Sequence, residues 1–214
     1  MKKTLGLCAG AIAWIALVIQ FIISIQLNTA RGASVAFGIW MYFAFFTVTT
    51  NLLVALMLTA PAVAPDSRFG RFFAKPSSIT GVTAGIVLVA IVYNTLLSHL
   101  YHQQGWRFVT DLLLHDVVPA LTVAYWWIAV PRASVPWKSA IRWALYPVAY
   151  FFYATVRGLV SGFYPYYFLN VSQLGLGWVL LNAIGVLVAY LIILFALLAL
   201  KSSLSAAGSQ ETAA

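Results

Sequence analysis

Residues 108–130 read FVTDLLLHDVVPALTVAYWWIAV, an apolar run that three ionisable side chains interrupt. A helix that crosses a bilayer needs about 20 predominantly apolar residues, and this run has that length and character. The ionisable side chains are Asp111, His115 and Asp116. Because charged groups are costly inside a membrane, they mark candidate functional sites where they occur there. This stretch therefore predicts a transmembrane helix that carries chemistry.

The composition of the whole chain indicates the same class of protein. Its 214 residues are 63% hydrophobic and 7% charged, and the mean hydropathy is +0.95. Soluble globular domains are about 45–50% apolar and about 25% charged. These values exclude a soluble enzyme and a disordered chain, and the single cysteine, Cys8, excludes a disulfide scaffold. A polytopic membrane protein remains.

Five further apolar runs lie at residues 4–27, 34–60, 79–101, 139–163 and 174–200. The first follows Lys2 and Lys3 and is longer than the apolar region of a signal peptide, so we expect an uncleaved signal-anchor helix. We predict an all-α fold with six transmembrane helices. Residues 1–200 would form this single domain, and residues 201–214 a disordered tail.

The distribution of basic residues predicts the orientation of the helices. Nine of them would share one side of the membrane: Lys2, Lys3, Arg68, Arg71, Lys75, Arg132, Lys138, Arg142 and Lys201. Only Arg31, Arg107 and Arg157 would lie on the other side. Since cytoplasmic loops carry the excess of Lys and Arg, we expect both termini in the cytoplasm. The net charge of +8 is spread singly or in small groups between apolar runs, so we predict no nucleic-acid partner.

Helix geometry orders the polar groups of the fourth span. Asp111 and His115 are four residues apart and share a face, whereas Asp116 is rotated by about 100° and would face a neighbouring helix. Pro119 follows His115 by four residues, so the His115 carbonyl should lose its helical donor. The alternative is a structural Asp–His pair that joins two helices.

Three other spans carry polar groups in their outer halves. Thr47, Thr50 and Asn51 form one stripe on the second span, while Thr49 points elsewhere. The alternative for this stripe is hydrogen bonding within and between helices. Asn94 and Arg157 lie on the third and fifth spans. We therefore expect a polar pocket that opens toward the outer leaflet.

These residue types suit ester hydrolysis. An imidazole can take the proton of an attacking hydroxyl, and a carboxylate can orient that imidazole. Thr47, His115 and Asp111 supply the three groups. Asn51, Asn94 or backbone N–H groups would stabilise an oxyanion. The Gly-x-Ser-x-Gly motif of α/β-hydrolases is absent.

Three segments carry a resemblance to a known family. They are FFTVTTNLLVAL at residues 45–56, LLHDVVPAL at residues 113–121 and GFYPYYFLNV at residues 162–171. In order and spacing they resemble the androgen-induced-gene family of multipass membrane proteins, over roughly residues 5–200. The resemblance implies an intramembrane threonine hydrolase that cleaves fatty acid esters of hydroxy fatty acids. It also implies a bacterial-type member in the inner membrane.

The motifs of this family place the nucleophile at Thr47 and the histidine at His115. A local offset would move the nucleophile to Thr49 or Thr50, and helical facing favours Thr47 or Thr50. In this interpretation Asp111 orients His115, Arg157 holds the substrate carboxylate, and Asp116 belongs to the substrate-binding residues. No metal or cofactor is predicted, and the substrate and the oligomeric state stay open.

Two other functions compete with the threonine hydrolase. A metal-dependent membrane hydrolase would use His99, His102, His115 and Asp111 as ligands. A non-enzymatic lipid-binding or transport protein would hold a ligand carboxylate through Arg157.

Overall fold

The computed structural model describes residues 2–100, 102–131 and 135–211, with side chains to residue 203. Its α-helices are α1 (Lys2–Thr29), α2 (Val35–Tyr42), α3 (Phe46–Val63), α4 (Arg68–Phe73), α5 (Pro76–Val92), α6 (Trp106–Leu112), α7 (Val118–Ala129), α8 (Trp137–Ala140), α9 (Leu145–Ser161) and α10 (Val171–Glu211). Two π-helical turns span Tyr93–Leu97 and Leu113–Val117, and 3-10 turns span Ser98–Leu100, Ile141–Ala144 and Tyr167–Leu169. These ranges contain no strand, so the predicted all-α class is confirmed.

Within the described residues, five helical stretches are long and apolar enough to cross a membrane. They are Lys2–Thr29, Phe46–Val63, Pro76–Leu100, Trp106–Ala129 and Val171–Ser203. The predicted run at residues 139–163 is divided, because a 3-10 turn precedes Pro147 and leaves α9 with 17 residues. Of the predicted disordered tail, residues 201–211 continue α10, and residues 212–214 lie outside the described residues.

Lysine side chains bind the carboxyl end of α7 at one end of the bundle. The Lys2 Nζ donates to the Ala129 carbonyl at 3.0 Å, and the Lys201 Nζ donates to the Trp127 carbonyl at 2.6 Å. The Lys201 ammonium also lies 4.8 Å from the centre of the Trp126 ring. Cations at a helix C-terminus stabilise its unpaired carbonyls. The start of α1, the end of α7 and the late part of α10 therefore lie at the same end.

The second apolar run is not one helix, as its pattern suggests, but two. Between α2 and α3 the chain leaves the helical conformation, and Phe45 is extended with φ −93° and ψ 135°. The Tyr42 hydroxyl, at the end of α2, donates to the Leu17 carbonyl of α1 at 3.0 Å. Leu17 is about 18 Å along α1 from Thr29, so the break lies deep within the bundle.

One face of α9 satisfies the carbonyls that this break exposes. Tyr150 donates to the Ala44 carbonyl at 2.7 Å, and Tyr153 donates to the Phe43 carbonyl at 3.1 Å. Arg157 donates from Nη2 to the Trp40 carbonyl at 2.8 Å. Backbone groups in an apolar medium must be hydrogen bonded within the protein. The three side chains of α9 therefore make the broken helix possible at this depth.

Because Pro119 has no N–H, one backbone carbonyl in the preceding turn lacks a helical donor. The sequence predicts that this carbonyl belongs to His115, but in the structure it belongs to Leu114. The Val118 N–H donates to the Leu113 carbonyl, five residues back, because the turn is π-helical. This register leaves the Leu114 carbonyl opposite Pro119, which has no N–H. Asn51 donates to the Leu114 carbonyl at 3.2 Å and thereby joins α3 to the π-turn.

Candidate functional site

Thr47 and His115 meet in the structure. Thr47 is the second residue of α3, directly after the break, and His115 is the middle residue of the π-turn Leu113–Val117. The Thr47 Oγ1 lies 3.3 Å from the His115 Nε2. A hydroxyl and an imidazole at this distance can exchange a proton after a small adjustment. The structure therefore brings the predicted nucleophile and base together.

Asp111 fixes the orientation of the imidazole. The His115 Nδ1 lies 3.0 Å from the Asp111 backbone oxygen and 3.2 Å from its carboxylate Oδ1. Both oxygens are acceptors, so this pattern assigns the proton of neutral His115 to Nδ1. The Nε2 lone pair then faces Thr47, as a general base requires.

Tyr93 completes this arrangement and was missed by the sequence interpretation. Its ring stacks on the His115 ring, with centroids 3.6 Å apart and planes 11° apart, and its hydroxyl donates to the Asp111 Oδ2. It begins the other π-turn, Tyr93–Leu97. π-turns occur often at functional sites, and here two of them contribute to one site. In the sequence Tyr93 looks like any aromatic residue of an apolar helix.

Thr49 and Thr50 lie apart from the imidazole. Their hydroxyls hydrogen bond to the Tyr146 hydroxyl at 2.9 and 2.7 Å. Tyr146 in turn stacks on Phe46, with ring centroids 5.1 Å apart. The geometry therefore favours Thr47 among the three threonines.

The asparagines and Asp116 connect helices. Asn51 is fully buried and donates to the Thr47 carbonyl at 2.9 Å. Asn94 donates to the Asp116 Oδ1 at 2.9 Å and to the Ala90 carbonyl at 3.1 Å. Both side-chain amides therefore donate to oxygens of the protein. In these positions they do not point to an oxyanion at Thr47, which is the role predicted for them.

Arg157, which was predicted to hold the substrate carboxylate, instead binds groups near the end of α2. Its guanidinium carbon lies 3.1 Å from the centre of the Trp40 ring, and its Nη1 donates to the Tyr153 hydroxyl at 3.2 Å. Arg157 is therefore a cation at the carboxyl end of α2, where the helix dipole favours it. Arg107, which is exposed, lines the cavity beside Thr47 instead.

Arg157→Met should lower the free energy of unfolding by about 1–3 kcal/mol, because it removes a buried guanidinium and leaves the Trp40 carbonyl without its donor. Unfolding by SDS in mixed micelles, followed by circular dichroism, measures this change. Arg107→Met is the matched control and should leave stability unchanged, since Arg107 is exposed. Equal stability of the two variants would contradict this role for Arg157.

Two cavities meet at Thr47. One has about 230 Å³ and contains the polar groups of Gln20, Gln103, Arg107, Asp111 and His115. The other has about 210 Å³ and is lined mainly by apolar side chains of α5, α9 and α10. The residues common to both linings are Thr47, Tyr93, Leu97 and Tyr166. A ligand with an apolar chain and a polar portion could occupy both cavities with its junction at Thr47.

Tyr166 covers the amino end of α3. The Thr47 N–H donates to the Tyr166 hydroxyl at 3.5 Å, so this hydroxyl lies at the first turn of the helix, beside the nucleophilic residue. The first N–H groups of a helix have no partner within the helix, and they favour negative charge. Tyr166 lies in the connector between α9 and α10, and burial raises the pKa of its hydroxyl above the ordinary value of 10.0. The hydroxyl therefore stays protonated.

The predicted metal ligands are not assembled. His99 and His102 are exposed, whereas His115 is partly buried against Thr47. Within the described ranges, no three His, Cys, Asp or Glu side chains come together in a group that could hold a metal ion. The ring nitrogens of His115 contact Thr47 and Asp111 instead.

Comparison with known proteins yields no relative. No family model, no curated protein and no solved structure matches the chain.

Proposed function

We propose that this protein is an intramembrane hydrolase of lipid esters in which Thr47 is the nucleophile and His115 the base. The observation that carries the proposal is the series of contacts from the Thr47 Oγ1 to the His115 Nε2 and from the Nδ1 to Asp111. A hydroxyl, an imidazole and a carboxylate in this order form the usual device for activating an alcohol. The position of Thr47 between an apolar and a polar cavity supports a lipid substrate.

The reaction follows from this geometry. The Thr47 Oγ attacks the ester carbonyl carbon, its proton passes to the His115 Nε2, and the carbonyl electron pair moves onto oxygen. The amino end of α3 stabilises this negative charge. Collapse of the intermediate breaks the ester C–O bond, and His115 returns the proton to the leaving alcohol. Water then attacks acyl-Thr47 and gives a proton to the His115 Nε2. The bond between the carbonyl carbon and the Thr47 Oγ breaks, the proton passes from His115 to the Oγ, and the fatty acid is released.

The two cavities suggest how the substrate is oriented. The apolar cavity would take the acyl chain, and the polar cavity would take the portion derived from the alcohol. Fatty acid esters of hydroxy fatty acids, the substrates implied by the resemblance, carry a carboxylate on that portion. Arg107 lines the polar cavity and supplies a cation for it, the role first expected of Arg157.

We propose six spans with both termini in the cytoplasm, in a bacterial inner membrane. α9 would be the sixth span, because its Tyr150 and Tyr153 bind the break in mid-bundle and its amino end follows the turns after α7. Lys2 and Lys201 both bind the carboxyl end of α7. By the positive-inside rule, we expect this end, which holds Lys2 and Lys201, to face the cytoplasm.

Covalent labelling tests the proposal. An alkyl fluorophosphonate should react with the purified protein in detergent, because the activated Thr47 Oγ displaces fluoride from phosphorus and transfers its proton to His115. Peptide mass spectrometry should locate the phosphonyl group on Thr47. Thr50→Val, which removes a hydroxyl one helical turn away, should label as well as the unaltered protein. A protein that stays unlabelled, or a label on another residue, would contradict the proposed nucleophile.

A non-enzymatic lipid-binding or transport protein is the second candidate. The broken helix favours it, since half-helix ends inside membrane proteins also hold anionic groups of transported ligands. A fatty acid would then bind with its carboxylate at the amino end of α3. Fatty acid flux into liposomes, with no hydrolysis of lipid esters, would support this function over the hydrolase.

A further inference from the structure

We infer that Tyr166 is a catalytic residue whose hydroxyl donates a hydrogen bond to the oxyanion formed when Thr47 attacks an ester. This inference rests on the proposed function. It adds a side-chain donor to the site, from the middle of the connector between α9 and α10. Without Tyr166, only the amino end of α3 would stabilise the oxyanion.

The position of the hydroxyl supports this role. It accepts the backbone N–H of Thr47, and both residues line the same two cavities, so it lies beside the residue that forms the acyl bond. An oxyanion on the attacked carbon is separated from the Thr47 Oγ by a single carbon atom. Tyr166 also lines both cavities, which places it where acyl chain and alcohol portion would join.

The hydrogen-bonding capacity of a phenol fits as well. Its oxygen accepts the Thr47 N–H, and its single O–H proton can rotate toward the strongest acceptor beside Thr47. When the ester carbonyl becomes an oxyanion, it becomes the strongest acceptor within reach. Burial keeps the phenol protonated, so the proton is present over the working pH range of a histidine base.

The surrounding rings hold Tyr166 in place. It stacks on Phe168 with centroids 5.2 Å apart and planes 3° apart, and it meets Phe45 edge-on at 6.2 Å. Phe45 is the residue before α3, so the stack fixes the phenol relative to the nucleophile. A donor that is oriented in advance costs no reorganisation during the reaction.

Tyr166→Phe tests the inference because it removes the hydroxyl and keeps the ring. With p-nitrophenyl decanoate as the substrate, kcat should fall by about 10²–10³-fold while KM changes little. Tyr167→Phe is the matched control, because Tyr167 is an exposed neighbour that lines neither cavity. It should retain the kcat of the unaltered protein.

A thionoester separates donation to the oxyanion from mere positioning of Thr47. Sulfur accepts hydrogen bonds more weakly than oxygen, so the unaltered protein should favour the oxygen ester over its thionoester. In Tyr166→Phe, the ratio of the hydrolysis rate of the oxygen ester to that of the thionoester should move closer to one. A variant in which Thr47 is merely misplaced would hydrolyse both esters more slowly by the same factor.

Each result decides the question. An unchanged kcat, or a lower kcat with an unchanged oxygen-to-sulfur preference, would overturn the role of Tyr166 while leaving the hydrolase in place. If the unaltered protein hydrolyses neither ester, the proposed function fails and the inference fails with it. A narrowed preference together with normal activity of Tyr167→Phe supports the inference.

Discussion

Thr47→Ala should reduce the turnover of lipid esters by at least about 10³-fold, because removal of a nucleophile ends the acyl-enzyme route and leaves only binding and charge stabilisation. Release of fatty acid from a long-chain ester by the purified protein measures this loss. Thr47→Ser should retain part of the activity, since it keeps a hydroxyl beside the His115 Nε2. Substrate binding should persist in Thr47→Ala.

Thr50→Val provides the matched control within the same helix. It removes a hydroxyl that binds Tyr146 and leaves the cavities unchanged. We expect its turnover to stay close to that of the unaltered protein. Normal turnover in Thr47→Ala together with lost turnover in Thr50→Val would move the nucleophile to Thr50.

His115→Ala should have an effect of similar size, about 10³-fold or more, since the two residues act as a unit. It removes both the acceptor for the Thr47 proton and the group that activates water for deacylation. Double substitution of Thr47 and His115 should therefore cost little more than either change alone. Turnover with a fluorogenic ester, measured for the two single variants and the double variant, tests this non-additivity.

His99→Ala is the control for loss of an imidazole. His99 is exposed near the end of the third span, and its loss should leave turnover unchanged. A metal-dependent hydrolase predicts the opposite, with activity that depends on His99 and declines with a chelator. For Thr47 and His115, strictly additive losses of turnover in the double variant would contradict the view that the two residues transfer a proton as one unit.

The sequence predicts the Asp111–His115 contact well because it is local. Four residues along a helix bring two side chains to one face, whatever the rest of the bundle does. A stripe on one helix likewise limits the nucleophile to Thr47 or Thr50, and the family resemblance implies Thr47. The distance between Thr47 and His115 depends on helix packing, which no local pattern encodes.

The break before α3 could not be predicted from its own residues. Positions 43–45 are Phe, Ala and Phe, without the glycine or proline that usually ends a helix. The carbonyls exposed there are bound by Tyr150, Tyr153 and Arg157, more than 100 residues later. Arg157 looked like a ligand for substrate because its true partner, the Trp40 carbonyl, becomes available only through this break.

The π-turn around His115 has a consequence for how such proteins are recognised. A π-turn holds one residue more than an α-helical turn, so a single insertion or deletion at Leu113–Val117 can be absorbed as a change of winding. The imidazole would keep its place beside the threonine while the number of residues between histidine and proline changes by one. A search pattern with a fixed histidine-to-proline count would therefore miss chains with the same site. The distance in space between the histidine ring and the threonine that follows the helix break is the better criterion.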